Sequence, residues 1–211
     1  MLHECIRQNA IEKILVLGRR ACGIQHPKVQ EILLPDFSTL ATRAAALVGY
    51  DACFFCLGVS AVGMKESDYR RQTFDLTIGV AQVLCQQNPG MRFCYISGAG
   101  TDSSQHSRQM WARVKGLTEN TLLEMPFKRV YCFRPGYMQP TPGLKNTLPY
   151  YKYVKWMYPL LRRIFPGFVT TLQELAQAMI QAALAEPAKQ ILEVPDIVAL
   201  AQENRQPEIV R

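Results

Sequence analysis

Four short runs of unbroken apolar residues constrain this 211-residue chain most: Lys13 to Leu17 (KILVL), Asp51 to Leu57 (DACFFCL), Phe93 to Ile96 (FCYI) and Arg129 to Phe133 (RVYCF). A strand with one wet face alternates apolar and polar residues, whereas a continuous apolar run suits a strand covered on both faces. Helical stretches lie between the runs. Leu40 to Leu47 is alanine-rich, Tyr69 to Cys85 gathers Phe74, Ile78, Ala81, Leu84 and Cys85 on one side, and a third helix is predicted from about Ser107 to Leu123. Strands alternating with helices at this spacing predict a parallel α/β sheet with helices on both faces. Residues 1–10 read as the tail of a helix, Val29 to Leu34 as a further short strand, Ile191 to Val194 as a last one and Ile197 to Ala201 as a brief helix. Thr170-Thr171 followed by Glu174 gives a capping-type start for a helix over Leu172 to Ala185. The length suits a single domain over residues 1–211.

A hydrophobic fraction of 48% is ample for a core, and no apolar run reaches the length of about 18 residues that a spanning helix needs. The opening MLHECIRQNAIEK carries charge on both sides of its few apolar residues and has no small-residue cleavage site, so it is not a signal peptide. A soluble, cytoplasmic protein is expected. The net charge of +7 suits an anionic partner such as a phosphate-bearing cofactor, acidic lipid or nucleic acid, but the excess is spread out, with one denser zone at 145–163. Seven cysteines in apolar surroundings suit a reducing compartment. Cys53 and Cys56 form a C-x-x-C, but along a strand positions three apart point to opposite faces, and no second pair exists. His3, His26 and His106 are scattered and make no metal constellation, so no metal is expected.

The stretch from Arg92 to Leu123 joins a buried strand, a small-residue turn (Ser97 to Gly100), a polar loop and a helix in which Trp111 and Lys115, four residues apart, share a face. A hydroxyl at a strand end with a lysine on a neighbouring helix can handle protons. The plainer reading is an amphipathic helix with Lys115 in solvent. Ser97 in YISGAG, the Lys115 helix and CFRPG at 132–136 resemble the second half of the short-chain dehydrogenase/reductase superfamily, in its atypical or extended, epimerase-like branch. The resemblance implies a doubly wound Rossmann sheet that binds NAD(P). It also implies catalysis by a serine, a tyrosine and a lysine, the last two spaced Y-x-x-x-K. Ser97 and Lys115 match, but Trp111 stands at the tyrosine position, and an indole N–H cannot exchange a proton near neutral pH. Carbonyl reduction by the usual route is therefore in doubt. Tyr95 and Tyr131 lie in strands and read as core; Tyr137, after the Pro-Gly turn, is the remaining candidate acid.

The same resemblance assigns cofactor contacts. Arg19 and Arg20, at the end of the KILVL strand and without a carboxylate beside them, favour the 2′-phosphate of NADP over NAD, unless they merely solvate their loop. Asp36 and Phe37 match the adenine contacts, Leu57 and Gly58 the ribose and nicotinamide side, and Pro135 and Gly136 the segment that touches the nicotinamide. The family's first strand and glycine-rich turn, whose N–H groups hold the pyrophosphate, have no counterpart ahead of KILVL. The expectation is a recorded start downstream of the true one; the alternative is a protein without its first βα unit. The mass of the native protein decides between them. In the family that strand lies between those matching KILVL and DACFFCL. Here these must either pair directly or leave backbone groups unpartnered, at about 1–3 kcal/mol each.

After Gly136 the composition changes. Pro140, Pro142 and Pro149 break structure, and Tyr150 to Phe168 mixes aromatics with Lys152, Lys155, Arg162 and Arg163. By the resemblance, 140–170 is a substrate lid, suited to a small anionic or amphiphilic substrate; core packing of its aromatics ranks with it. A membrane-surface helix ranks second, because Pro159 interrupts it. Nucleic-acid binding ranks last and is not expected. A non-catalytic nucleotide-sensing or protein-interaction module is the alternative to an oxidoreductase or nucleotide-sugar-epimerase-like enzyme.

Overall fold

The computed structural model describes residues 1–139, 163 and 167–203. In chain order these form helix α1 (Leu2–Arg7), strands β1 (Ile14–Gly18) and β2 (Val29–Leu33), a 3-10 helix (Phe37–Leu47) and β3 (Ala52–Phe55). Next come α2 (Glu66–Arg70), a π-helical turn (Arg71–Asp75), α3 (Leu76–Gln87), β4 (Arg92–Ile96), α4 (Met110–Leu123) and β5 (Arg129–Arg134). The short strands β6 (Tyr137–Gln139) and β7 (Val169–Thr171), helix α5 (Leu172–Ala185), strand β8 (Ile191–Glu193) and helix α6 (Val194–Glu203) complete it.

Every strand pairing is parallel. One sheet runs β3-β4-β5-β8, a second joins β1 to β2, and a third joins β6 to β7. Alternation along the strands sorts the core into two layers. Phe55, Phe93, Tyr95, Val130 and Cys132 pack with Leu40 and Leu47 of the 3-10 helix and with Ile78, Val80 and Leu84 of α3. Cys94, Tyr131 and Phe133 pack on the other side with Leu175 and Met179 of α5 and Ile197 of α6. This is the helix-sheet-helix layering that the doubly apolar runs predict, with the parallel-sheet α/β class.

The capping prediction for α5 holds: Thr171 accepts from the Glu174 amide at 3.0 Å, and Glu174 accepts from the Thr171 amide at 2.9 Å. The helix ends at Glu186 with φ of 50°, and that carboxylate is held by Lys128 at 2.7 Å and by Arg92. The Leu40–Leu47 helix is a 3-10 helix begun by Asp36, the Tyr69–Cys85 helix is interrupted by the π-turn, and α4 starts three residues later than predicted, after a loop tied to Asp102. The strands β6 and β7 had no sequence signal, being three residues each. Most of the predicted lid segment lies outside the described residues.

β1 and β3 do not pair with each other. They start at the same end of the molecule, where the Lys13 amine stands 5.3 Å from the centre of the Tyr50 ring. A cavity of about 850 Å³ lies along them, lined by residues 13–17 on one side and 49–57 on the other. Of the two outcomes left open by the sequence, direct pairing is not found, and among the described residues the facing edges of β1 and β3 meet no other strand.

Candidate functional site at the C-terminal ends of the strands

Because the strands are parallel, the turns that leave them collect on one edge, the usual ligand edge of an open α/β sheet. Ser97 directly follows β4 and Pro135 directly follows β5. The two turns are stitched together, with the Ser97 amide donating to Phe133 O at 2.7 Å and the Ala99 amide to Pro135 O at 2.9 Å. Gly136 is there because nothing larger fits: a Cβ at that position would lie 2.2 Å from the carbonyl oxygen of Phe168, where β6 meets β7.

Helix α4 lies against this edge and lays Trp111 and Lys115 on it. The indole of Trp111 covers the small-residue turn: a Cβ on Gly100, which has φ of 87°, would meet the Trp111 ring at 3.4 Å, and one on Gly98 at 3.8 Å. The Lys115 amine donates to the carbonyl oxygens of Ile96 at 3.2 Å and Ser97 at 3.1 Å, and sits 5.3 Å from the centre of the Tyr95 ring. Ser97, Trp111, Lys115, Pro135 and Gly136 are thus brought into one cluster. Lys115 is not a solvated surface lysine: burial drives its pKa down to about 8, with Glu119 one turn along pulling the other way. An ammonium has three donors, so one remains beyond the two carbonyls.

The Ser97 hydroxyl is buried and lies 3.0 Å from the Thr101 hydroxyl, which in turn donates to Gly98 O at 2.8 Å. Thr101 has a single hydroxyl proton, already given to that carbonyl. Ser97 therefore donates to Thr101 and offers any ligand only lone pairs.

The other candidate residues have contacts of their own. Asp36 accepts from the Ser38 amide at 2.9 Å and the Ser38 hydroxyl at 2.7 Å, which hold its pKa below the usual carboxylate range and begin the 3-10 helix. Phe37 and Leu57 pack on the first core layer. Gly58, Arg19 and Arg20 are exposed, the arginines directly beyond β1. Tyr95 and Tyr131 are core, Tyr131 donating to Pro187 O at 3.2 Å. Tyr137 is half-buried in β6, with its amide bonded to Phe168 O at 2.8 Å. Cys53 and Cys56 are both free thiols, pushed up in pKa by desolvation, Cys56 to about 11. Among the described residues no group of three or more His, Cys, Asp or Glu side chains is placed to hold a metal, and no helix is long and apolar enough to cross a membrane.

Sequence reasoning missed an ion pair beneath the cluster. Glu119 of α4, fully buried, takes two bonds from Arg134 of β5, at 3.0 and 2.5 Å. Arg134 also reaches Glu193 at 3.1 Å and the Ser103 hydroxyl at 2.7 Å. This locks the lysine-bearing helix to the strand that carries Pro135. The one available signal was spacing: Glu119 follows Lys115 by four residues and so shares its face.

The chain has the Rossmann-type fold of the NAD(P)-dependent epimerases and short-chain dehydrogenases. It superposes on UDP-N-acetylglucosamine 4-epimerase from Methanobrevibacter ruminantium, solved in complex with UDP-N-acetylmuramic acid, with a TM-score of 0.59 at 13% identity, covering 91% of this chain and 72% of that one. The Bordetella bronchiseptica enzyme WbmH in complex with NAD+ matches with a TM-score of 0.57 at 13% identity over 99% of this chain and 79% of its own. A short-chain dehydrogenase from Burkholderia cenocepacia in complex with NADP gives 0.56 at 12% identity over 93% and 87%. In sequence, the chain is 30% identical over 140 residues to protein HTATIP2 of Rattus norvegicus. That match takes in 64% of this chain and spans little more than half, 56%, of the relative's length. No protein-family model matches.

Proposed function

We propose that this chain binds a nicotinamide nucleotide, NADP in preference to NAD, at the C-terminal edge of the sheet. The observation that carries the reading is the Lys115 amine, desolvated and fixed against the end of β4 with one donor left over. Such a group suits the hydroxyls of a ribose, and Pro135-Gly136 stands on the neighbouring strand end for the nicotinamide. Arg19 and Arg20, exposed beyond β1, suit a 2′-phosphate. In this reading Lys115 with Pro135-Gly136 would hold one end of the nucleotide and Arg19 with Arg20 the other. Bound nucleotide would supply hydride chemistry; the chain's own residues supply binding and orientation. The solved neighbours bound to NAD+ and to NADP support the reading. We place the protein in the cytoplasm, where its free thiols stay reduced, and assign it a small, anionic or amphiphilic substrate.

Titration of the purified chain with NADPH, by fluorescence or calorimetry, tests this. Saturable micromolar binding, tighter for NADPH than NADH and weakened at least tenfold (roughly 1.4 kcal/mol) by Lys115→Ala, is expected. No binding removes the proposal.

Trp111 favours a second, narrower reading: nucleotide binding without the family's proton transfer. Its indole fills the place beside the turn and offers no exchangeable proton at neutral pH. Bound NADPH that stays unoxidised by aldehydes and ketones, with turnover appearing in Trp111→Tyr, identifies a sensor; turnover by the wild-type chain identifies an enzyme with another acid, for which Tyr137 is the candidate.

A further inference from the structure

The proposed nucleotide contact uses the Lys115 amine only in its charged form. The amine donates to Ile96 O at 3.2 Å and to Ser97 O at 3.1 Å, both where β4 ends. An ammonium held in this way has one N–H to spare. A neutral amine has two hydrogens and one lone pair. The two carbonyls take the hydrogens, and the lone pair points where the third hydrogen stood. The same two bonds therefore aim a donor in one protonation state and a nucleophile in the other.

The surroundings bring the neutral form within reach of ordinary pH. Among the described residues the titratable groups that act on the amine are Glu119 of its own helix and Cys132 of β5, with the centre of the Tyr95 ring of β4 at 5.3 Å. Burial holds the Cys132 thiol and the Tyr95 phenol above their ordinary values, so both stay uncharged. The Glu119 carboxylate is engaged twice by Arg134, and desolvation outweighs its pull on Lys115. At pH 7 an amine of pKa about 8 is neutral roughly two hundred times more often than an ordinary lysine. Desolvation is also the usual way to make a lysine nucleophilic. Lys115 and Trp111, one turn before it, are both half-buried, which limits a reactant to a small molecule.

We propose that this amine captures small aldehydes, the least hindered carbonyls, as a protonated imine. The lone pair attacks the carbonyl carbon, the C=O π pair moves onto oxygen, and one N–H proton passes to that oxygen through solvent to give a carbinolamine. Solvent then protonates the hydroxyl, water leaves, and the nitrogen lone pair closes the C=N bond. The protonated imine keeps one N–H, enough for one of the two strand carbonyls. Nothing is oxidised or reduced, and water reverses the step. Capture needs the amine where it stands and no bound nucleotide, so it can hold or fail independently of nucleotide binding.

The probe is propanal with cyanoborohydride, offered to the full chain without nucleotide. The reagent reduces each protonated imine as it forms and leaves a propylated lysine that peptide mass spectrometry counts site by site. At pH 7 Lys115 gains label at least about tenfold faster than the exposed Lys65. Both sites share the reductant, so their ratio isolates the amines: the lead of Lys115 narrows about tenfold between pH 7 and 9, as an ordinary lysine catches up. The lead disappears in concentrated urea. All three readings come from the wild-type chain, so no variant has to fold. Labelling of Lys115 no faster than Lys65 overturns the proposal, and so does a lead that survives urea or stays constant with pH.

Discussion

The strands beside the cavity slot, β1 and β3, and the inner strands β4 and β5 are equally apolar and are buried to very different degrees. In β4 and β5 the central residues are fully covered: Phe93, Cys94, Tyr131, Cys132 and Phe133 are all at 0% exposure. In β1, with its run ILVLG, no residue is fully buried, and in β3 only Phe55 is. Composition does not separate the halves; neighbours do. Among the described residues β4 lies between two strands, whereas β1 and β3 each have one. An apolar run therefore declares the environment a strand is suited to, and the fold decides whether that environment is supplied.

The comparison breaks most visibly if the closed half is no better knit than the open one. Glu119→Ala should be the costliest single change, about 3–5 kcal/mol by urea unfolding, because it leaves Arg134 buried without its bidentate partner. An unchanged midpoint would mean that the ion pair does not join α4 to β5. Truncations of one residue type sharpen the contrast: Leu122→Ala, in the closed half at 0% exposure, should cost about 2–5 kcal/mol. Leu15→Ala, half-exposed beside the slot, should cost under about 1.5 kcal/mol. Equal losses would show the slot to be closed in solution. A further contrast is read through pH, at Lys115. Its folded pKa of about 8 lies below the ordinary 10.5, so between those values the unfolded chain holds more protons than the folded one. Stability contributed by this group therefore rises with pH across that window and is flat below it. Lys115→Met should lack the rise when urea midpoints are compared from pH 7.5 to 10, and parallel curves would place the amine in solvent. The sign reverses for nucleotide: a ligand that needs the ammonium should lose affinity as pH climbs through about 8.

The sequence made the layered architecture legible because it rests on short-range patterns: apolar runs, helical periodicity and the Thr171–Glu174 capping box. It also brought Ser97, Trp111 and Lys115 together, since a turn and an i, i+4 spacing fix their relative positions. Burial of Lys115 was not legible, because a lysine on a helix face reads as solvated until the strand end that takes its donors is in place. Glu119 and Arg134 were missed for the same reason; their pairing joins residues fifteen apart through packing, not through any local rule. The Asp36 carboxylate, matched by the resemblance to an adenine contact, caps the 3-10 helix in the structure.

The hydroxyl pair at the end of β4 has a consequence for selectivity. Thr101 fixes the direction of the Ser97 O–H, so the oxygen that meets a visitor behaves as a pure acceptor. A ligand hydroxyl brought to it would find an acceptor, and a ketone oxygen would find no donor. Exchanging one hidden hydroxyl for a methyl, as in Thr101→Val, would free that hydrogen and let the Ser97 oxygen donate as well as accept.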